Sequence, residues 1–287
     1  MRSTAIFPIY VISSKVSDSR VIDISAYRGP VQLGKAYHIM YENDTHAAGS
    51  VDLILGENMI LLCKETAEYL YTAYTPEKRG YKKGVKPELE KCVEKIISAC
   101  GSDEECIEKI TLFTSSLQDR ATSDLDSMKF GGTEEDIITR GSDWCTDVAR
   151  VGCALCQVAG FSARMVYLFD VTKAYHGHVI IEAYRDSAWG AVDTVTNVIY
   201  RHEGGKAASV WELINSPEII EKHWRGDSTY YTTSDQFSRA AISNYFVWDC
   251  GEYDYTVSGL NDYKRAVLEM AEKGWPGGLR WLHGEED

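Results

Sequence analysis

Basic residues are in short supply: 30 lysines and arginines stand against 43 aspartates and glutamates, for a formal charge of −13. Nucleic-acid binding draws its affinity from cationic side chains that displace counterions, so this balance argues against a nucleic-acid partner. Long apolar runs are missing too. No stretch approaches the ~20 consecutive apolar residues that a membrane span requires. The opening residues, MRSTAIFPIYVISSKVSDSR, are broken by Pro8, Ser13 and Ser14 where a signal peptide would keep an apolar segment intact. These absences set the expectation of a cytoplasmic protein without a membrane partner. No internal repeat is found.

What the chain does have suffices for a large core. Its 287 residues are 44% apolar and 25% charged, close to globular averages, which excludes wholesale disorder. Eight cysteines are present, but their spacing is irregular and a chain of this length does not need staples, so they read mainly as buried thiols. Cys100 and Cys106 flank a turn and would be bridged only in an oxidising compartment.

Along the chain, residues 36–41 and 51–55 read as strands. From Asn58 the pattern reads as helical, with Ile60, Cys63, Ala67, Leu70 and Tyr71 at three- and four-residue spacing. The basic, glycine-bearing segment 76–87 reads as an exposed loop. A second helix is predicted from Glu88, and a third from the Ser102/Glu105 capping pair, which together make a helical hairpin. Residues 118–143 read as polar connection, 210–224 as helix, 226–262 as unassigned, and 262–273 as a last helix.

The chemistry concentrates in residues 140–200. Ser142 and Asp143 are good N-cap types, so a helix is expected to start there and to run along Val148, Ala149, Gly152, Cys153 and Cys156 to a stop at Gly160. Cys145 then falls in the first turn, where the helix dipole and unpaired N–H groups favour a thiolate and can bind an oxyanion. Downstream, HGHVIIEAYRDSAWGAVDTVTNVIY reads as two strands joined by a tight turn at Asp186 and Ser187. That register pairs Arg185 with Ala188, Tyr184 with Trp189, Glu182 with Ala191, Ile180 with Asp193 and His178 with Val195, so that His178, Glu182 and Asp193 share a face. A thiol, an imidazole and a carboxylate so disposed make a nucleophile, its base and the group that orients the base.

These residues carry a resemblance. The order D-W-C-T-D-x-A around Cys145, G-F-S-A-R-M-V ending in a strand, His178 with Glu182 four residues on, and Trp189 with Asp193 four residues on resembles the transglutaminase-like superfamily. The resemblance implies an α+β, papain-like core with the cysteine-bearing helix packed on an antiparallel sheet. It also implies Cys145 as nucleophile, His178 as base and Asp193 as orienter. Two departures stand: Ile180 occupies a position where the family often has an aromatic residue, and Asp193 is followed by Thr194, Val195 and Thr196. The expected division is an N-terminal region at 1–134, a catalytic core at 135–203 and an extension at 204–287.

The reaction implied is acyl transfer or hydrolysis at an amide through a thioester, on a peptide, protein or other amide-containing substrate, with no redox or organic cofactor and no metal. His176, two residues before His178, competes for the role of base. Trp144 could wall the acyl site, donate its indole N–H to an oxyanion, or only pack; Glu182 could serve the site or an interior hydrogen-bond network. Arg164 is expected to pair with a carboxylate. Asp143 and Asp147 flank Cys145 and oppose a thiolate. Two readings of other classes remain: zinc held by Cys145, Cys153, Cys156, His176 and His178, and an inactive binding domain that presents the aromatic run 245–255.

Overall fold

The computed structural model describes residues 59–62, 64–67, 70–71, 81–124, 127, 129, 131–169, 177–223, 237 and 239–243. His176, the strands expected at 36–41 and 51–55, the helix expected at 262–273 and the aromatic run 245–255 lie outside them.

Among the described residues, six strands form one sheet. In chain order its strands are β1 (Met59–Leu62), β2 (Ala163–Phe169), β3 (Gly177–Arg185), β4 (Ala188–Asp193), β5 (Val198–Ile199) and β6 (Arg239–Ser243). They are arranged β1-β6-β2-β3-β4-β5, and every pairing is antiparallel. The helices are α1 (Lys64–Ala67), α2 (Pro87–Ile96), α3 (Asp103–Ser115), α4 (Glu134–Arg140), α5 (Cys145–Val158), α6 (Val210–Asn215) and α7 (Glu218–Lys222), with a 3₁₀ turn at Gln118–Arg120.

Strand alternation sorts the core into two halves. One face of the sheet presents Met165, Tyr167, Val179, Ile181 and Val192 to a core shared with residues of α2, α3, α4 and α5. The other presents Val166, Leu168, Ile180, Ala191 and Ile242 to a core shared with α6, α7, Leu62 and Leu70. Helix α5 therefore lies between a helical layer and the sheet. Every residue from Thr146 to Gln157 is buried, which is more than the single stripe expected of it. Gly160, at φ 96°, ends the helix: its N–H donates to Gln157 O and that of Phe161 to Cys156 O, a Schellman closure.

Four readings of the sequence are corrected or completed. Residues 59–62 are a strand paired with β6, and helix begins only at Lys64 in α1; a short apolar run has no period of its own, and the partner strand decided it. Helix α4 interrupts the supposed polar connection, with a capping box between Thr133 and Asp136. Within 226–262, β6 pairs with both β1 and β2. The helix expected over 210–224 is two short ones, broken by Ser216 and Pro217.

The β3–β4 hairpin has the predicted register at Arg185↔Ala188, Tyr184↔Trp189 and Glu182↔Ala191. Asp186 and Ser187 both adopt positive φ, 50° and 62°, as a two-residue turn of this hand demands. Below it, Glu182 is fully buried and takes bonds from Arg164 Nε (2.7 Å), Tyr71 OH (2.8 Å) and Val210 N (2.7 Å). The Arg164 guanidinium lies 3.9 Å from the Trp189 ring centroid and 4.7 Å from that of Tyr71. Arg164 thus pairs with a carboxylate as expected. Replacing it with Ala would strand a buried anion, and Arg164→Ala is expected to lower unfolding free energy by about 3–5 kcal/mol in urea denaturation.

Helix α5 also approaches the end of β4 closely. A Cβ on Gly152 would stand 2.6 Å from Thr194 Cγ2, a buried β-branched side chain with little room to yield. Alanine would gain about 1 kcal/mol of helix propensity but overpack by about 1–3 kcal/mol. Gly152→Ala is therefore expected to be neutral to destabilising by up to about 2 kcal/mol, and Gly152→Val clearly destabilising, read from the same denaturation curves.

Candidate active site

Cys145 is the first residue of α5, and Trp144 is its N-cap, without a side-chain cap bond. The cap falls later than the expected Ser142 or Asp143 because Ser142 is engaged elsewhere. Its Oγ accepts the Trp144 N–H at 3.2 Å and donates to Asp147 Oδ2 at 3.1 Å. At the first helical position the Cys145 N–H has no intrahelical acceptor, and the positive end of the helix lies at the thiol. The turn leading in depends on Gly141: φ is 80°, and a Cβ there would stand 2.6 Å from Leu117 O.

Asp147, one turn into the helix, was expected to oppose a thiolate. It is instead fully buried and neutralised. The Gly131 N–H donates to both its oxygens (3.1 and 3.0 Å), Arg140 Nη2 donates to Oδ2 at 2.9 Å, and Ser142 adds its hydroxyl. Arg140, Ser142 and Gly131 had not been singled out for this role; the i, i+7 spacing of Arg140 and Asp147 across a glycine turn was the available signal.

His178 lies near the start of β3 with 11% of its side chain exposed, and its Nε2 is 2.9 Å from Asp193 Oδ2. The Cys145 side chain is the ring's other electrostatic neighbour, and because Nε2 serves Asp193, Nδ1 is the nitrogen left for sulfur. Burial alone would lower the His178 pKa, but the Asp193 carboxylate and the Cys145 sulfur outweigh it, and the net shift is up from its usual value to about 10. The imidazole is therefore held as a cation at neutral pH.

Asp193 is the last residue of β4 and fully buried. Its Oδ1 accepts the N–H groups of Val195 (3.0 Å) and Thr196 (3.1 Å), which leaves Oδ2 aimed at the imidazole. The ladder between β3 and β4 runs only to Ile181↔Val192. The expected Ile180–Asp193 and His178–Val195 pairings are not part of it, and the carboxylate is positioned by its own turn.

The structure thus joins Cys145, His178 and Asp193. Trp144 stands beside them as a half-buried N-cap. Glu182 does not join: its bonds go to Arg164, Tyr71 and Val210. Cys153 and Cys156 are buried along α5, and burial pushes the Cys156 thiol up to about 12. Among the described residues, no three His, Cys, Asp or Glu side chains gather as a metal site, and no helix is long and apolar enough to cross a membrane. A cavity of about 300 Å³ opens beside the start of α5, lined by Thr122, Ser127, Lys129, Arg140, Ser142 and Asp143 among others.

Comparison with curated proteins finds no match, and comparison with solved structures finds none. Residues 91–194, from α2 through the carboxylate that holds His178, match the family model of the transglutaminase-like superfamily, and the α+β architecture of this segment is consistent with that core.

Proposed function

We propose that the protein is a thiol-dependent hydrolase or acyltransferase acting on an amide, with Cys145 as nucleophile, His178 as its acid–base partner and Asp193 as the group that orients and charges His178. The observation that carries this reading is His178 standing between the Cys145 side chain and a buried carboxylate 2.9 Å from its Nε2. A superfamily whose members generally use a cysteine in acyl transfer or hydrolysis supports it.

The species that reacts is the thiolate of Cys145, formed with its proton on His178. Sulfur attacks the amide carbon, and the electron pair moves to the carbonyl oxygen, to which the free Cys145 N–H of the first helical turn would donate a hydrogen bond. Collapse breaks the carbon–nitrogen bond as the imidazolium gives its proton to the departing amine, leaving a thioester. Water or an amine then passes a proton to neutral His178 as it attacks the thioester carbon, and release of the acid or new amide restores thiolate and imidazolium. Cys145 and His178 both retain some exposure, so water has access, and hydrolysis is the outcome favoured here.

The working compartment is proposed to be the cytoplasm. The catalytic unit is taken to reach back to Pro87, further than residue 135, because α2 and α3 share the core of α5.

Labelling with a library of electrophilic peptides tests the nucleophile: wild type is expected to be modified at Cys145, and Cys145→Ala to lose that labelling and all turnover. Uniform labelling of all the cysteines would favour an inactive binding domain instead. The pH profile follows from the sign of the His178 shift. A raised pKa means the imidazolium persists through neutrality and is lost as pH rises through about 10, so the alkaline limb of kcat/KM is expected there. Asp193→Asn removes the attraction that raises it. That variant is expected to move the limb down toward the ordinary histidine range and to lower kcat by roughly 10³-fold or more.

A further inference from the structure

The 3₁₀ turn Gln118–Arg120 touches both halves of the site just described. On one side, Leu117 O accepts the Ser142 N–H at 3.2 Å, and Gly141 presses so closely on Leu117 O, Arg120 C and Ala121 N that only glycine fits. This is the connection that delivers Cys145. On the other side, Gln118 Nε2 donates to Val195 O at 2.6 Å and also to Ser115 O at 3.2 Å. Val195 belongs to the turn whose N–H groups hold Asp193 Oδ1.

We propose that Gln118 is a positioning residue for this chemistry: its amide braces the Val195 carbonyl, fixes the turn that aims Asp193 at His178, and ties that turn to the backbone that presents Cys145. The inference rests on the proposed function and extends it to a residue outside the Cys145–His178–Asp193 set.

The turn has need of a brace. Beyond Asp193 the chain leaves β4, and β5 is only two residues long, paired through Val192↔Ile199 and Asp193↔Val198. Between these lie Thr194 to Asn197, with Asn197 at φ 54°. The carboxylate takes its direction from the N–H groups of Val195 and Thr196, so rotation of the Val195 peptide would move its N–H away from Asp193 Oδ1 and turn Oδ2 from the imidazole. Gln118 restrains the neighbouring carbonyl. Because Ser115 O takes the second amide hydrogen, the side chain is anchored at the end of α3 rather than free to follow the turn. A displacement of the helical arm would then shift nucleophile and carboxylate together.

The test uses the full chain with Gln118→Glu, close in shape but without a donor for Val195 O, and with Gln118→Ala. Two readouts are taken that a merely structural role would not move. One is the pH dependence of Cys145 alkylation by iodoacetamide, resolved by peptide mass spectrometry. The other is the ring ¹⁵N titration of His178 by NMR. Both variants are expected to keep the wild-type circular dichroism, to lose roughly tenfold in Cys145 alkylation rate at neutral pH, and to show His178 titrating at lower pH. A variant carrying Gln118→Lys, which restores a donor of similar reach, is expected to recover part of the rate. Wild-type alkylation and titration in both Gln118→Glu and Gln118→Ala would overturn the proposal. If wild-type Cys145 itself shows no selective reactivity, the proposed function fails, and the His178 titration still decides whether Gln118 orders the His178–Asp193 pair.

Discussion

A carboxylate with no exposure to water, Asp193, holds a largely buried imidazole at 2.9 Å. Removing such a charge from water costs several kcal/mol unless its lone pairs are met, and here two backbone N–H groups and the His178 ring meet them. The consequences run outward from that bond. The imidazole is kept cationic, so the sulfur beside it is paired with a positive charge on one side and the positive end of α5 on the other. The acid at Asp147, which would work against that field, is occupied by Arg140, Ser142 and Gly131.

The fold supplies this geometry by layering. Helix α5 is buried around its whole circumference, so its start cannot drift relative to the strands beneath. The close approach of Gly152 to Thr194 sets the distance between helix and β4, one residue from Asp193. The hairpin α2–α3 closes the far side of α5, and Glu104 of α3 reaches over to Arg185 at the end of β3 and to Arg201. On the other face, the Arg164–Glu182 pair and its aromatic neighbours fasten β2 to β3 without entering the chemistry.

Legibility in the sequence followed the range of the forces involved. The β3–β4 hairpin was readable because its turn residues and its alternation are local, and Asp186 and Ser187 alone fix the register. Helix α5 and its stop at Gly160 were readable for the same reason. That Arg164 would pair with a carboxylate followed from strand direction, whereas its partner, Glu182 on the neighbouring strand, came only from the structure. What escaped was set by partners distant in the chain: β1 and β6 acquire their identity from each other across the sheet, and no periodicity in 226–262 announces a strand. The late start of α5 escaped because Ser142, a good cap by type, spends its hydroxyl on Asp147. Helix α4 was the one miss with a local signal, in the Thr133–Asp136 box. Gln118 had none, since its bond to Val195 spans 77 residues.

The central claim is that sulfur on Cys145 becomes covalently bonded to the substrate's acyl group. Rapid-quench intact-mass spectrometry, with an activated acyl donor offered to the full chain at acidic pH where a thioester survives, measures this directly. The account predicts a transient adduct of one acyl group, mapped to Cys145 and released by hydroxylamine. Turnover of the donor with no adduct, or an adduct on Cys153, Cys156 or another residue, would contradict it.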